Sequence, residues 1–315
     1  MTSLYDNIIF GPVRSRRLGI SLGVNLLPVE SKLCSFDCIY CECGWNADHA
    51  ARRRFNNRED VLAMLEQVLG EMVAEGTPPD VITFAGNGEP TMHPDFENII
   101  DDTIALRDKH CPNAKVSVLS NATQIHREDV RRALNRVDNN ILKLDSAFDA
   151  TVQLVNKPVG SYSVERTVEW MKLFEGQMIL QTMFLRGEYL GQRVDNTTEE
   201  QVEAWLRLVK EIAPRQVMVY SLDRDTPCQT LEKVGSGKFR IGGQSVTFGT
   251  IADIKEDGAA VVLGTDIPCD IVGNGTATIT VTVDGKAFTC YARCNLGTTT
   301  ENNDTAEVVT GNLTL

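Results

Sequence analysis

Three cysteines, Cys34, Cys38 and Cys41, crowd into the stretch Cys34-Ser35-Phe36-Asp37-Cys38-Ile39-Tyr40-Cys41. One short loop thus supplies three thiolates. Iron–sulfur clusters and structural zinc normally take four protein ligands, so a complete three-cysteine loop predicts a cluster with one iron left open for chemistry. The competing reading is zinc or a closed cluster, in an electron carrier or a scaffold. Cys43 follows two residues later; the three-cysteine pattern is complete without it, and we read it as a non-ligand.

A second group of residues follows the next apolar run. Ala85-Gly86-Asn87-Gly88-Glu89-Pro90 combines two glycines, which permit a tight turn exposing backbone amides and carbonyls, with a proline that stiffens the exit and a carboxylate suited to a ligand ammonium. Further along, β-rich runs end in Ser120-Asn121, Lys143-Leu144-Asp145-Ser146, Arg186-Gly187-Glu188 and Tyr220-Ser221-Leu222-Asp223-Arg224. If these runs are parallel strands, their polar ends converge on one mouth, where a small polar ligand meets donors, carboxylates and a cation. His49, His93, Cys111 and Cys228 read as structural or solvated side chains.

The elements that must position these groups are legible in the periodicity. Strands are expected at 24–27, 81–84, 116–119, 141–144, 178–184 and 216–220. Asn57 can cap a helix bearing Val61, Leu62, Leu65, Val68, Leu69 and Met72 on one face. Thr198 and Gln201 form a capping box for a helix with Val202, Trp205, Leu206, Val209 and Ile212 buried, stopped at Pro214. Other helices are expected to begin near Pro94, His126 and Ser163. Six strands with long helical connections predict an α/β fold, a partial (β/α)6 barrel.

Beyond Val234 the sequence turns Gly- and Thr-rich without helical periodicity. We therefore expect a catalytic unit over 1–234 and a small all-β module or tail over 235–315. Within the latter, alternation at 276–283 and an Asp284-Gly285 turn predict a hairpin with 286–291. Cys269, Cys290 and Cys294 show no cluster spacing and read as structural or free.

Composition restricts the setting. The nine cysteines are unevenly placed, which argues against a secreted disulfide framework and for metal binding in a reducing compartment. No apolar run approaches the length of a membrane span, and the first residues lack a signal-peptide pattern, so the expected location is the cytoplasm with no membrane partner. A formal net charge of -12 opposes non-specific nucleic-acid binding. The basic runs Arg14-Ser15-Arg16-Arg17 and Arg52-Arg53-Arg54 keep an RNA partner open, the second reading best as a solvated face.

Cys34, Cys38 and Cys41, with Tyr40 before the last cysteine and Asn87-Gly88-Glu89-Pro90 one strand later, resemble the radical S-adenosylmethionine superfamily. The flanks Gly11-Pro12-Val13-Arg14-Ser15-Arg16-Arg17-Leu18-Gly19 and Gly86-Asn87-Gly88-Glu89-Pro90-Thr91 look most like a branch that includes wyosine-type tRNA-modifying enzymes. The resemblance covers about residues 8–233. It implies a [4Fe–4S] cluster on Cys34, Cys38 and Cys41, with S-adenosylmethionine on the open iron, cleaved to a 5′-deoxyadenosyl radical that abstracts hydrogen from a substrate. It also implies Tyr40 near the adenine, Gly88 and Glu89 near the methionine ammonium, Asn121 and Lys143 near its carboxylate, Asp145 or Ser146 near the ribose, and Gly86 among the cofactor-binding residues. An electron donor such as a flavodoxin or ferredoxin is implied as partner. Wyosine-type tRNA modification is the alternative reaction, opposed by the acidic balance. Relatives of this branch continue after the sixth strand with another helix, which the Gly- and Thr-rich sequence replaces here.

Overall fold

The computed structural model describes residues 4–15, 19–46, 54–222 and 226–232, and the backbone of six strands beyond residue 236. Along the chain run β1 (Ile9–Ser15), β2 (Gly19–Val24), α1 (Arg58–Ala74), β3 (Val81–Phe84), α2 (Phe96–His110), β4 (Lys115–Ser120) and α3 (Glu128–Arg136). There follow β5 (Asn139–Lys143), α4 (Asp149–Val155), α5 (Val164–Lys172), β6 (Ile179–Met183), β7 (Arg186–Tyr189), β8 (Gln192–Asp195), α6 (Glu199–Ile212), β9 (Gln216–Tyr220) and β10 (Leu231–Glu232).

One seven-stranded sheet, ordered β1-β2-β3-β4-β5-β6-β9, organises these elements. From β2 to β9 every neighbouring pair is parallel, and β1 pairs antiparallel with β2. The sheet does not close among the described residues; this is the expected partial barrel. Parallel pairs require a crossover, and the helices supply it.

Alternation along the strands divides the sheet into two unlike faces. Leu22, Val24, Ile82, Phe84, Val116, Val118, Leu142 and Leu180 point one way and join the buried side of the helices in a single core. On the opposite face, Ser21 Oγ and Thr83 Oγ1 are hydrogen-bonded at 2.9 Å, and Asn139 Nδ2 donates to Ser117 Oγ at 2.9 Å. A small separate apolar floor of Ile141, Ile179 and Met218, flanked by Leu119, completes that face. It is the lumen of the open barrel.

The Asn57 cap appears as expected, whereas only one half of the Thr198–Gln201 box forms, because the Gln201 side chain bonds Ser146 and Thr151 instead. Asn57 Oδ1 accepts from Asp60 N at 2.8 Å, and the Thr198 side chain accepts from Gln201 N at the start of α6. Several features differ from expectation, beginning with β1, an antiparallel edge strand ahead of the six expected ones. The first parallel strand is Gly19–Val24 rather than 24–27, because Asn25 Oδ1 accepts from Leu27 N at 3.1 Å and from Asn87 N at 3.2 Å, turning the chain out of the sheet. Helix α4 and the β7/β8 hairpin were not anticipated. Beyond residue 236 the backbone forms two-stranded pairs, among them β14 (Gly275–Val283) with β15 (Lys286–Cys294), after β11 (Gly237–Ile241), β12 (Gln244–Phe248) and β13 (Asp266–Ile271), and before β16 (Val309–Thr314). The Asp284-Gly285 turn, Arg16-Arg17, His49, Arg52-Arg53 and Asp223-Arg224 lie outside the described residues.

Candidate functional site

The cysteine loop lies at the carboxyl ends of the strands, held on both flanks by main-chain bonds. On one side Leu33 N donates to Asn87 O at 2.8 Å and Glu89 N to Leu33 O at 3.1 Å. Gly88 has φ +147, and a Cβ there would stand 1.8 Å from Leu33 O, so only glycine permits this approach. On the other side Asp37 N donates to Asn156 O and Ile39 N to Val155 O, each at 2.9 Å, while Val159 N donates to Ser35 O at 2.9 Å. The segment following α4 is therefore the loop's second wall.

Behind the loop sits Lys32, its side chain fully buried, with Nζ 2.6 Å from Gly44 O and 3.2 Å from Asp37 Oδ1. Burial alone would lower its pKa, but the sulfurs of Cys41, Cys34 and Cys38, with Asp37, outweigh that and hold it above the ordinary lysine value. Burial pushes the Cys34 thiol up, reinforced by the Glu89 carboxylate. Burial likewise raises Cys38 to about 11, with Cys41 adding to the rise and Lys143 and the Asn156 amide opposing it. Cys41 falls to about 6, chiefly through a hydrogen bond with Cys43 and then through the Lys32 cation, against burial. Cys43 moves in the opposite direction for the same reason, and its Sγ lies 3.6 Å from Gly86 O.

Cys34, Cys38 and Cys41 are free of disulfides. Among the described residues no three His, Cys, Asp or Glu side chains stand preassembled as a metal cage. The donor set nonetheless fits a thiolate-ligated cluster: three sulfurs from one buried loop, with a fixed cation behind them to balance their negative charge.

The strand ends form two networks, each meeting one cysteine of the loop. In the first, the Glu89 carboxylate accepts from Asn121 N at 2.6 Å, Ser120 Oγ at 2.8 Å and Thr91 N at 3.1 Å. Asn121 Nδ2 in turn lies 2.9 Å from Ser35 Oγ and 3.5 Å from Cys34 Sγ. In the second, the Tyr40 hydroxyl donates to Asp145 Oδ2, which also accepts from Asn156 Nδ2 at 2.6 Å. Asp145 Oδ1 accepts from Met183 N at 2.8 Å and lies 3.8 Å from Lys143 Nζ. Lys143 Nζ sits 5.2 Å from the Tyr40 ring centroid and 5.1 Å from that of Tyr220. Burial pulls the lysine pKa down, and Asp145, Tyr220 and Cys38 more than restore it, so the cation persists.

The structure thus brings Tyr40, Glu89, Asn121, Lys143 and Asp145 to the cysteine loop, with Gly86 and Gly88 forming the turn beneath it. Gly86 has φ +129, and a Cβ there would meet Asn25 Oδ1 at 2.5 Å. Arg186 stays apart: it is exposed and pairs with Glu232 at 3.1 Å. His93 is buried, its Nε2 2.8 Å from Asn56 O and its Nδ1 accepting from Asp95 N, in a structural role. Sequence reasoning passed over Lys32 and Asn156. Lys32 carried a signal, a cation two residues before the first cysteine; Asn156 carried none.

Residues 31–195 match the family described as the Radical SAM superfamily. The chain belongs to that superfamily. Among similar proteins is a UPF0026 protein of Methanocaldococcus jannaschii, 33% identical over 215 residues, covering 66% of this chain and 61% of the relative. Another, from Synechocystis, is 32% identical over 227 residues, covering 70% of this chain and 77% of the relative. The chain therefore spans less than two thirds of the Methanocaldococcus relative. Among solved structures, Streptococcus suis SuiB bound to S-adenosylmethionine aligns with TM-score 0.49 and 16% identity, over 70% of this chain and 44% of that one. No helix among the described residues is long and apolar enough to cross a membrane.

Proposed function

We propose that Cys34, Cys38 and Cys41 hold a [4Fe–4S] cluster and that Tyr40, Gly86, Gly88, Glu89, Asn121, Lys143 and Asp145 shape the adjoining S-adenosylmethionine site. The observation that carries this reading is the meeting of two strand-end networks with Cys34 and Cys38 beside the buried cation Lys32. When bound, such a cluster supplies the electron that cleaves S-adenosylmethionine to a 5′-deoxyadenosyl radical able to take hydrogen from a substrate.

The chain's own contribution is position and electrostatics. Lys143, kept charged by Asp145 and Tyr220, offers a cation to a carboxylate. Glu89 fixes the end of β4 through three donors, and so fixes Asn121. Tyr40 is anchored through its hydroxyl, which holds its ring at a set orientation beside Lys143. Residues 1–234 form the catalytic unit in this reading, with a small one-electron carrier such as a flavodoxin or ferredoxin as reductant.

Anaerobic reconstitution tests it. The full chain should take up about four irons and, once reduced, convert S-adenosylmethionine to 5′-deoxyadenosine. Zinc uptake without iron, or a cluster inert toward S-adenosylmethionine, would sink the reading. Cys38→Ala should abolish the cluster and Cys43→Ala should leave it; loss in the latter would overturn the ligand choice. A chain ending at residue 234 should keep both iron uptake and cleavage, and loss of either removes the proposed boundary.

A further inference from the structure

Two asparagine side chains approach ligand sulfurs from opposite walls of the cysteine loop. Asn121 Nδ2 is 3.5 Å from Cys34 Sγ, and Asn156 Nδ2 is 3.5 Å from Cys38 Sγ. An amide can be built either way round, so the identity of each facing atom has to be argued from its neighbours. For Asn121 the other atom, Oδ1, accepts from the backbone Thr123 N at 3.0 Å; an N–H needs an acceptor, so the oxygen lies there and the nitrogen faces sulfur. For Asn156 the same atom that faces Cys38 lies 2.6 Å from Asp145 Oδ2; the other oxygen of that carboxylate, Oδ1, accepts from Met183 N and faces Lys143 Nζ, so the group is an acceptor on both sides and requires a nitrogen from Asn156.

Both amides are locked by these second contacts. Asn121 is 7% exposed and Asn156 1% exposed, so neither can turn its donor to water. Cys41 differs from its two partners, having Cys43 and Lys32 for neighbours.

Resting on the cluster reading above, we infer that Asn121 and Asn156 are positioning residues that donate N–H···S bonds to Cys34 and Cys38, raising the reduction potential of the cluster. Hydrogen bonds to ligand sulfur stabilise the more negative, reduced state over the oxidised one. The pair makes the electron from a weak biological reductant easier to accept, and it acts from outside the ligand set. The donors come from β4 and from the end of α4, so the two sides of the barrel mouth are each coupled to one sulfur.

The test is an EPR-monitored redox titration of the reconstituted full chain. Asn121→Asp keeps the acceptor for Thr123 N and removes the donor; Asn156→Leu keeps the volume and removes the donor. Each variant should load iron as the unsubstituted chain does, and at a fixed solution potential its ratio of reduced to oxidised cluster should fall about tenfold, equivalent to about 59 mV for a one-electron couple. Loaded variants with unchanged midpoints overturn the inference, as does loss of iron uptake by both variants while they remain folded by circular dichroism. If one variant does not fold, the other decides. Independently of any substitution, asparagine labelled with 15N at the side chain should show hyperfine coupling to the reduced cluster, and absence of coupling overturns the inference. Failure of the unsubstituted chain to load iron would instead remove the cluster reading itself.

Discussion

Lys143 Nζ donates to the hydroxyl of Tyr220 at 2.6 Å, joining the ends of β5 and β9 across the intervening β6. The lysine is also 3.8 Å from Asp145, so one cation ties the last strand of the sheet to the network that reaches Cys38. Removing it leaves a buried carboxylate without its cation. Lys143→Met should lower stability by roughly 3 kcal/mol, the lower end of the cost of breaking a buried pair. Urea unfolding reads this, and calorimetric titration with S-adenosylmethionine should show binding weakened at least about tenfold; unchanged affinity would separate Lys143 from the cofactor site.

Glu89 predicts a pH dependence. Burial pushes its carboxyl above the usual range, against the donors Asn121 N, Thr91 and Ser120. The folded chain therefore holds this proton more tightly than the unfolded one. The associated stability is complete below the unfolded-state value of roughly 4.3 and is lost as pH rises through the folded-state value. Glu89→Gln cannot titrate, so it should lose that falling component. Urea midpoints for both proteins from about pH 4 to about pH 7 measure the difference, and parallel profiles would refute it.

Two glycines should respond in opposite directions to the same substitution. Gly88→Ala places a Cβ 1.8 Å from Leu33 O at φ +147, so the turn must move away from the cysteine loop. Iron uptake should be lost. Gly70 lies within α1, and a Cβ there meets nothing within 4 Å. Gly70→Ala should stabilise the chain by about 0.5–1 kcal/mol through helix propensity. Thermal unfolding and iron quantitation on the two variants check both outcomes.

Asn57→Ala removes the side-chain cap at the start of α1, where Asn57 Oδ1 accepts from Asp60 N at 2.8 Å. A loss of about 1 kcal/mol is expected. Iron uptake should be untouched, since the cap lies away from the cysteine loop; a variant that unfolds normally but binds less iron would contradict this.

Much of the fold was legible because its signals are local. The strands 81–84 and 216–220 coincide with β3 and β9, and the caps Asn57 and Thr198 mark the starts of α1 and α6. The three cysteines and the Gly88-Glu89 turn announced themselves by spacing. What escaped was set by tertiary contact. Asn25 ends β2 through bonds to Leu27 and to the distant Asn87, so the chain leaves the sheet at Val24 although 24–27 reads as strand from the sequence. Helix α4 is only seven residues long, too short to show two turns of periodicity. The hairpin β7/β8 has strands of only four residues each, rich in polar side chains, too short for an apolar alternation to stand out in the sequence. Asn156 is an unremarkable residue at a helix end, and its place beside Cys38 exists only once the chain has folded back.

The order of the strands in the sheet follows their order in the sequence from β2 to β9, so the sheet can grow edgewise as the chain leaves the ribosome. The cysteine loop cannot keep that pace. Its first wall arrives with Asn87 and Glu89, but its second is the segment from Val155 to Val159, synthesised long after the last of the three cysteines. A nascent chain shorter than this carries its thiols on a loop bound along one side only. In the proposed reading, a cluster can be held on both flanks only after residue 159 has been made.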